Sequence, residues 1–220
     1  MRCAYFAEAA EARGFARHGR AAGCSDGGPG FTKIHHNPSA VQIVQRSRVF
    51  DGHYKINQLI VQDGDTQLTR EQFAPGTAVA ALVYDTARRV YILTRQFRIG
   101  PEAEILELAA GMIDEGETPE AAVRREIHEE LGYEVDALEE IVCIWPSPGT
   151  SSEVITIFYA EVSHQTGTGG GLAEENERIE MVDFTWEALV AEPLRDAKTV
   201  IAVQWVRLRG ERVNSTSIFT

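Results

Sequence analysis

The chain has 220 residues, 44% of them hydrophobic, which suits one domain with a sizeable core and room for a small extra lobe. Its 33 acidic against 21 basic residues leave a formal charge of −12, which disfavours a general nucleic-acid or anionic-membrane partner, since either calls for a basic field. Cys3, Cys24 and Cys143 are odd in number and lack CxxC spacing, so neither a disulfide framework nor a zinc site is indicated and a reducing cytoplasm fits best; no apolar run approaches the roughly 18 residues of a membrane span or resembles a signal-peptide core.

Residues 1–40 are rich in small residues and arginines, followed by the glycine-rich SDGGPG and a turn-like HHNPS. No fold is expected of this leader. Four arginines among its first twenty residues hint at an organelle transit peptide, but Glu8 and Glu11 argue against one. The expectation is an extension the core does not need, so that deleting residues 1–38 leaves activity and melting temperature nearly unchanged. Over residues 41–75 the segments VQIVQRSRVF, HYKINQLIVQ and TQLTREQF are separated by DG and DGD turn signals, which predicts a meander of hairpins. The main domain is expected over 76–210, with 211–220 as a tail. It begins with AVAALVYD and VYILTRQFRI, two strands joined by the polar TARR, followed by EILELAAG as one further strand covered on both faces.

The stretch from Gly111 to Tyr133, GMIDEGETPEAAVRREIHEELGY, organises the rest. Thr118, Pro119 and Glu120 predict a helix start, with a capping hydroxyl, a proline at the first helical position and an acid in the first turn; Gly132 predicts its stop. At about 100° per residue, Glu126, Glu129 and Glu130 share one arc beside an apolar stripe of Val123, Ile127 and Leu131. Like charges at i,i+4 and acids in the last turn both oppose an ordinary solvated helix, and such breaches of local rules are where function is expected. Clustered carboxylates on a rigid helix suit a hard divalent cation shared with water and substrate phosphates. His128 faces away from the acidic arc and is read as exposed or packed.

Beyond the helix, EVDALEEIVCIW and VITIFYAEV read as longer strands around the loop PSPGTSSE. The glycine-rich GTGGGLAEENE follows, then RIEMVDF as a last strand. A closing helix is predicted near Asp196–Leu208, where Ile201, Trp205 and Leu208 recur at i, i+4 and i+7.

Gly111, then five residues, Glu117, then seven, then Arg125-Glu126-Ile127-His128-Glu129-Glu130-Leu131-Gly132 resembles the box of the Nudix hydrolases, which act on nucleoside diphosphates linked to another moiety. Every charged and glycine position is filled; Tyr133 alone departs, standing where the family prefers a bulky aliphatic. The resemblance implies an α/β fold, the Nudix α/β/α sandwich with a mixed sheet. The small N-terminal antiparallel sheet resembles that of the nucleoside-diphosphate-sugar subgroup, where it pairs with the other subunit of a homodimer. It also implies Mg²⁺, with Mn²⁺ able to substitute, on Glu126, Glu129, Glu130 and the Ala110 carbonyl, with Arg125 orienting the carboxylates. GLAEENERI resembles the acidic loop of ADP-ribose pyrophosphatases, which puts Glu175 at the general base and Glu177 at a further metal ligand, Glu174 remaining an alternative base. SPGTSSE resembles the segment whose glutamate, here Glu153, contacts a sugar hydroxyl, although Thr150 and Ser151 replace a glycine and a threonine. Arg70 and Arg98 match diphosphate-contacting arginines, with Arg95 as rival to Arg98.

The implied reaction is metal-dependent hydrolysis of nucleoside diphosphate sugars. AAGMIDEGE and GLAEENE favour ADP-ribose, cleaved to AMP and ribose 5-phosphate, over the GDP-mannose suggested by GGG and RDAKTVIAVQW. A non-catalytic nucleotide sensor is disfavoured because all box carboxylates are retained.

Overall fold

The computed structural model describes residues 41–171 and 178–215, with side chains through residue 210. Strands β1 (Val41–Asp51), β2 (Lys55–Asp63) and β3 (Thr66–Phe73) form the expected antiparallel meander in the order β1-β2-β3. The main sheet contains β4 (Thr77–Asp85), β5 (Val90–Arg98), β6 (Ala103–Glu107), β7 (Ala109–Met112), β8 (Tyr133–Ile144), β9 (Val154–Gln165) and β10 (Glu180–Phe184). Its path is β10-β5-β4-β9-β8, with β6 on β5 and β7 on β4. The β4–β9 pair is parallel and the others antiparallel, so the sheet is mixed.

Helices α1 (Pro119–Leu131), α2 (Trp186–Ala191) and α3 (Ala197–Ser215) cover the two faces. Central β4 shows why two covers are needed: Val79, Ala81 and Val83 pack with α1, while Ala78, Ala80 and Leu82 pack on the side of α2 and α3. Val123, Ile127 and Leu131 of α1 are fully buried in the first layer, and Leu189, Ala202 and Val203 lie in the second. At about 1.5–3 kcal/mol for each large aliphatic withdrawn from water, such burial fixes which face of α1 turns inward and leaves the acidic arc at its edge.

The segment EILELAAG is two strands rather than one. It leaves β5 after Glu107 and joins β4 from Ala109, and two buried threonines satisfy the backbone at the break. Leu108 N–H donates to Thr199 Oγ1 at 3.1 Å, and the Thr94 hydroxyl donates to the Glu107 and Leu108 carbonyls at 3.2 and 3.3 Å. The terminal helix also runs beyond Leu208 into the stretch read as a tail, and the short α2, capped by Thr185, is an addition to the expected elements.

Tyr133 acquires a structural reason. Its hydroxyl donates to Asp85 Oδ2 at 3.1 Å, and buried Asp85 also accepts from the Ala87 and Arg88 amides and from Arg88 Nε. Burial alone would raise the Asp85 pKa, but the bonds from Arg88 and Tyr133 outweigh it and hold the carboxyl below its ordinary range. An aliphatic side chain would leave one of those bonds unmade.

Candidate active site

Helix α1 begins as its sequence predicts. The Thr118 hydroxyl accepts from Ala121 N–H at 3.2 Å, Pro119 opens the helix, and Gly132 closes it at φ 73°. Glu126 and Glu130 are buried one turn apart against β7. Arg125 gathers the cluster: it reaches Glu117 through Nε and Nη2 at 3.1 Å each, Glu126 at 2.7 Å, Glu129 at 3.1 Å and the Met112 carbonyl at 2.9 Å. Hydrogen bonding to Arg125 lowers the Glu117 pKa, and the bonds that Arg125 donates to Glu117 and Glu126 raise its own, so Glu117 and Arg125 both stay ionised.

Strand β7 is the floor. Ala110 N–H donates to Glu130 Oε2 at 3.2 Å. A Cβ placed on Gly111 would overlap the Glu126 carboxylate, so the glycine is the space in which that carboxylate lies. Among the described residues no three His, Cys, Asp or Glu side chains stand in a ready metal cage. Three carboxylates, Glu117, Glu126 and Glu129, instead share the single guanidinium of Arg125. This hard-oxygen donor set, with more negative charge than one arginine neutralises, fits a divalent cation chemically.

The glycine run after β9 is no free loop. Gly170 N–H donates to the Glu130 carbonyl at 2.8 Å and Gly171 N–H to that of Glu129 at 3.3 Å, capping the orphan carbonyls of α1. Gly169, at φ 61°, lies so close to the Glu130 carbonyl and Leu131 that a side chain there would collide with them. Gly171, the last described residue before the acidic segment, is therefore held at the end of the carboxylate helix. Glu174, Glu175 and Glu177 themselves lie outside the described residues.

A second charged group lies at the end of β6. Glu107, 3% exposed, receives Arg98 Nε on Oε1 and Lys198 Nζ on Oε2, and Lys198 also bonds Asp196 Oδ1 at 3.0 Å. Half-buried Glu153 has its pKa raised by burial, an effect that the charge of Lys198 opposes. Lys198, bonded to Glu107 beside Arg98, thus also acts on Glu153 through its charge. The Ser147–Glu153 loop is tied to the small sheet, with Phe73 N–H donating to the Thr150 carbonyl and Ser152 N–H to the Phe73 carbonyl, both at 2.9 Å.

Arg70 stands on that small sheet opposite Leu59, exposed, with its guanidinium on the Thr69 carbonyl. Arg95 pairs with Glu180 at 2.9 Å. His128 is exposed and sits 3.2 Å from Glu134, away from the carboxylates as expected. Glu107 and Lys198 escaped the sequence reading, though each left a signal: an acid within a strand running into the core, and a cation in the first turn of a helix, where the macrodipole opposes it.

A family model described as the NUDIX domain matches residues 74–206. A GDP-mannose pyrophosphatase of Cronobacter sakazakii is 34% identical over 151 residues, covering 64% of this chain and 78% of that protein. An ADP-ribose pyrophosphatase of Haemophilus influenzae is 31% identical over 193 residues, 79% of this chain and 89% of the relative. Among solved structures, one titled as an ADP compounds hydrolase shares the fold, with a TM-score of 0.64 at 22% identity, over 78% of this chain and 95% of that one.

Proposed function

The chain belongs to the Nudix domain family, and on that premise we propose that it hydrolyses the pyrophosphate bond of nucleoside diphosphate sugars. It is a hydrolase acting on phosphorus-containing anhydrides. The observation that carries the reading is the complete box gathered at one site, with Glu126 lying over Gly111 and Arg125 bridging Glu117, Glu126 and Glu129.

Nudix hydrolases generally use divalent metal ions. We assign Mg²⁺ here, held by Glu126, Glu129, Glu130 and the Ala110 carbonyl, with Glu177 as a further ligand. Bound there, the metal would neutralise charge on the non-bridging oxygens and acidify the attacking water. The chain's own contributions are separate. Arg125 aims the carboxylates, Arg98 and Arg70 take the diphosphate, and Glu153 accepts a sugar hydroxyl. Glu175 is the proposed general base, with Glu174 as its alternative; support comes from Gly171, four residues before Glu175, being bonded to the carbonyl of Glu129.

ADP-ribose is the substrate we place first, since the Haemophilus influenzae relative aligns over the larger share of this chain. GDP-mannose is the second reading, favoured by the higher identity of the Cronobacter sakazakii relative. We also propose a cytoplasmic homodimer. Exposed Val41, Ile43, Val44, Val49 and Phe50 on β1 support an interface there, and light scattering of the purified protein tests it. A panel of diphosphate sugars and nucleoside triphosphates, with products identified, tests the reaction. Triphosphates cleaved much faster than every diphosphate sugar would refute it.

A further inference from the structure

We propose that Glu107 is a positioning residue for substrate binding, its buried carboxylate, held by Lys198, orienting Arg98 toward the anion; the inference rests on Arg98 being a diphosphate contact. Glu107 ends β6, at the point where the chain changes sheet partners, so its backbone is pinned on both sides. Its two oxygens are used separately, Oε1 by Arg98 Nε and Oε2 by Lys198 Nζ, each at 2.5 Å. One cation comes from β5 and the other from the first turn of α3, and neither element alone could set their separation. The rigid plane of a single carboxylate does so.

The two cations differ in exposure. The Lys198 side chain is 13% exposed, whereas that of Arg98 is 41% exposed. Arg98 is the member that reaches outward, while Lys198, shared with Asp196, ties Glu107 to α3. A planar guanidinium anchored through Nε has its orientation set, which a point charge on a flexible stem would not. Asp196 also accepts from Thr199 N–H, and the Thr199 hydroxyl accepts from Leu108 N–H, so the pair is braced against the same backbone that carries Ala110 and Gly111.

Charge alone and positioning predict opposite outcomes for Glu107→Gln. The substitution keeps shape but makes the site more positive, so simple electrostatics would tighten the binding of a diphosphate. Positioning weakens it, because Arg98 loses its anchor.

The test uses the full chain with Mg²⁺. Steady-state kinetics on the best diphosphate sugar would be paired with calorimetry of its non-hydrolysable methylene-bridged analogue and a thermal melt. We expect KM and the analogue Kd to rise about tenfold with kcat within about threefold. In an Arg98→Ala background, Glu107→Gln should change KM less than twofold, since its effect runs through Arg98. Arg98→Lys, which keeps the charge and every partner of Lys198, guards against a folding failure of Glu107→Gln and should also raise KM. An unchanged or lower KM in Glu107→Gln, a wild-type KM in Arg98→Lys, or additive effects in the double variant would overturn the proposal while leaving the assigned reaction standing. A wild-type protein that cleaves no diphosphate sugar would overturn both.

Discussion

Replacing Gly111 with alanine separates activity from stability. Gly111 pairs with Val79 in β7 and is not among the glycines with positive φ, so alanine meets no backbone strain there. Loss of unfolded-state freedom alone would stabilise the variant by about 0.4–1 kcal/mol. The new methyl group, however, occupies the place of the Glu126 carboxylate, which must move. Its charge-assisted bond to Arg125, 2.7 Å long, is worth about 1.5–3 kcal/mol, and Arg125 keeps Glu117 and Glu129 as partners. The net loss is then about 1–2 kcal/mol, or roughly 2–8 °C in melting temperature for a chain of this size. Turnover should fall by about 100-fold or more, as expected when a ligand or catalytic group is misplaced by about 1 Å. Calorimetric melting and a coupled phosphate-release assay on the same preparation measure both. A folded Gly111→Ala protein with wild-type turnover would show that the position of Glu126 over β7 is irrelevant to the chemistry.

Glu126→Gln and Glu130→Gln should each lower kcat by several orders of magnitude with the fold intact, because charge is lost and shape kept; normal turnover in Glu126→Gln would contradict its assignment as a ligand. Asp85, with its pKa depressed in the folded state, contributes stability that is present above the unfolded value near 3.8 and lost as pH falls through the folded value. The melting-temperature gap between wild type and Asp85→Asn should therefore be widest above about pH 4 and shrink in stronger acid; a gap constant with pH would disprove the linkage. Tyr133→Phe, which removes one hydrogen bond to that buried carboxylate, should cost about 1–2 kcal/mol in urea unfolding, and a neutral result would count against the network. Glu153 runs the other way: burial raises its folded pKa, so its ionised form destabilises the fold as pH rises above the unfolded value of 4.5. Glu153→Gln should melt higher than wild type at pH 7 yet bind substrate more weakly, and a lower melting temperature would reverse the sign of that argument.

What was legible in the chain follows from how local each signal was. Helix α1 could be read residue by residue, because its cap, its proline, its apolar stripe and its glycine stop all lie between Thr118 and Gly132 and act through near neighbours. The break at Leu108 could not. EILELAAG is continuously strand-like, and the change of partner depends on Thr94 and Thr199, the latter 91 residues away, filling the hydrogen bonds that an unbroken ladder would have made. Helix α2 has six residues, too few to show a period. Nor does composition show that the amides of Gly170 and Gly171 are committed to the end of α1, about 40 residues back along the chain. The local signals left by Glu107 and Lys198 named no partner, because each takes its meaning from the other across 91 positions of sequence.

The change of partner at Leu108 makes the candidate site more than two charge clusters that happen to be near each other. Glu107, which holds the cation pair, and Ala110, on the floor of the carboxylate cluster, are three residues apart on one extended segment, about 10 Å at the rise of a strand. That segment is held at its centre by two fully or nearly buried threonine hydroxyls and at its end by pairing with β4. The separation between the cations that would receive a diphosphate and the carboxylates that would receive a metal is therefore set by backbone and core. Only the last step, from the Glu107 carboxylate to Arg98 and Lys198, runs through side chains. The proposed sugar contact, Glu153, lies off that segment, on the Ser147–Glu153 loop, which is tied to the small sheet at Phe73. On the proposed roles, a change of sugar calls for a change in that loop, whereas β6, β7 and α1 keep the spacing between Glu107 and Ala110.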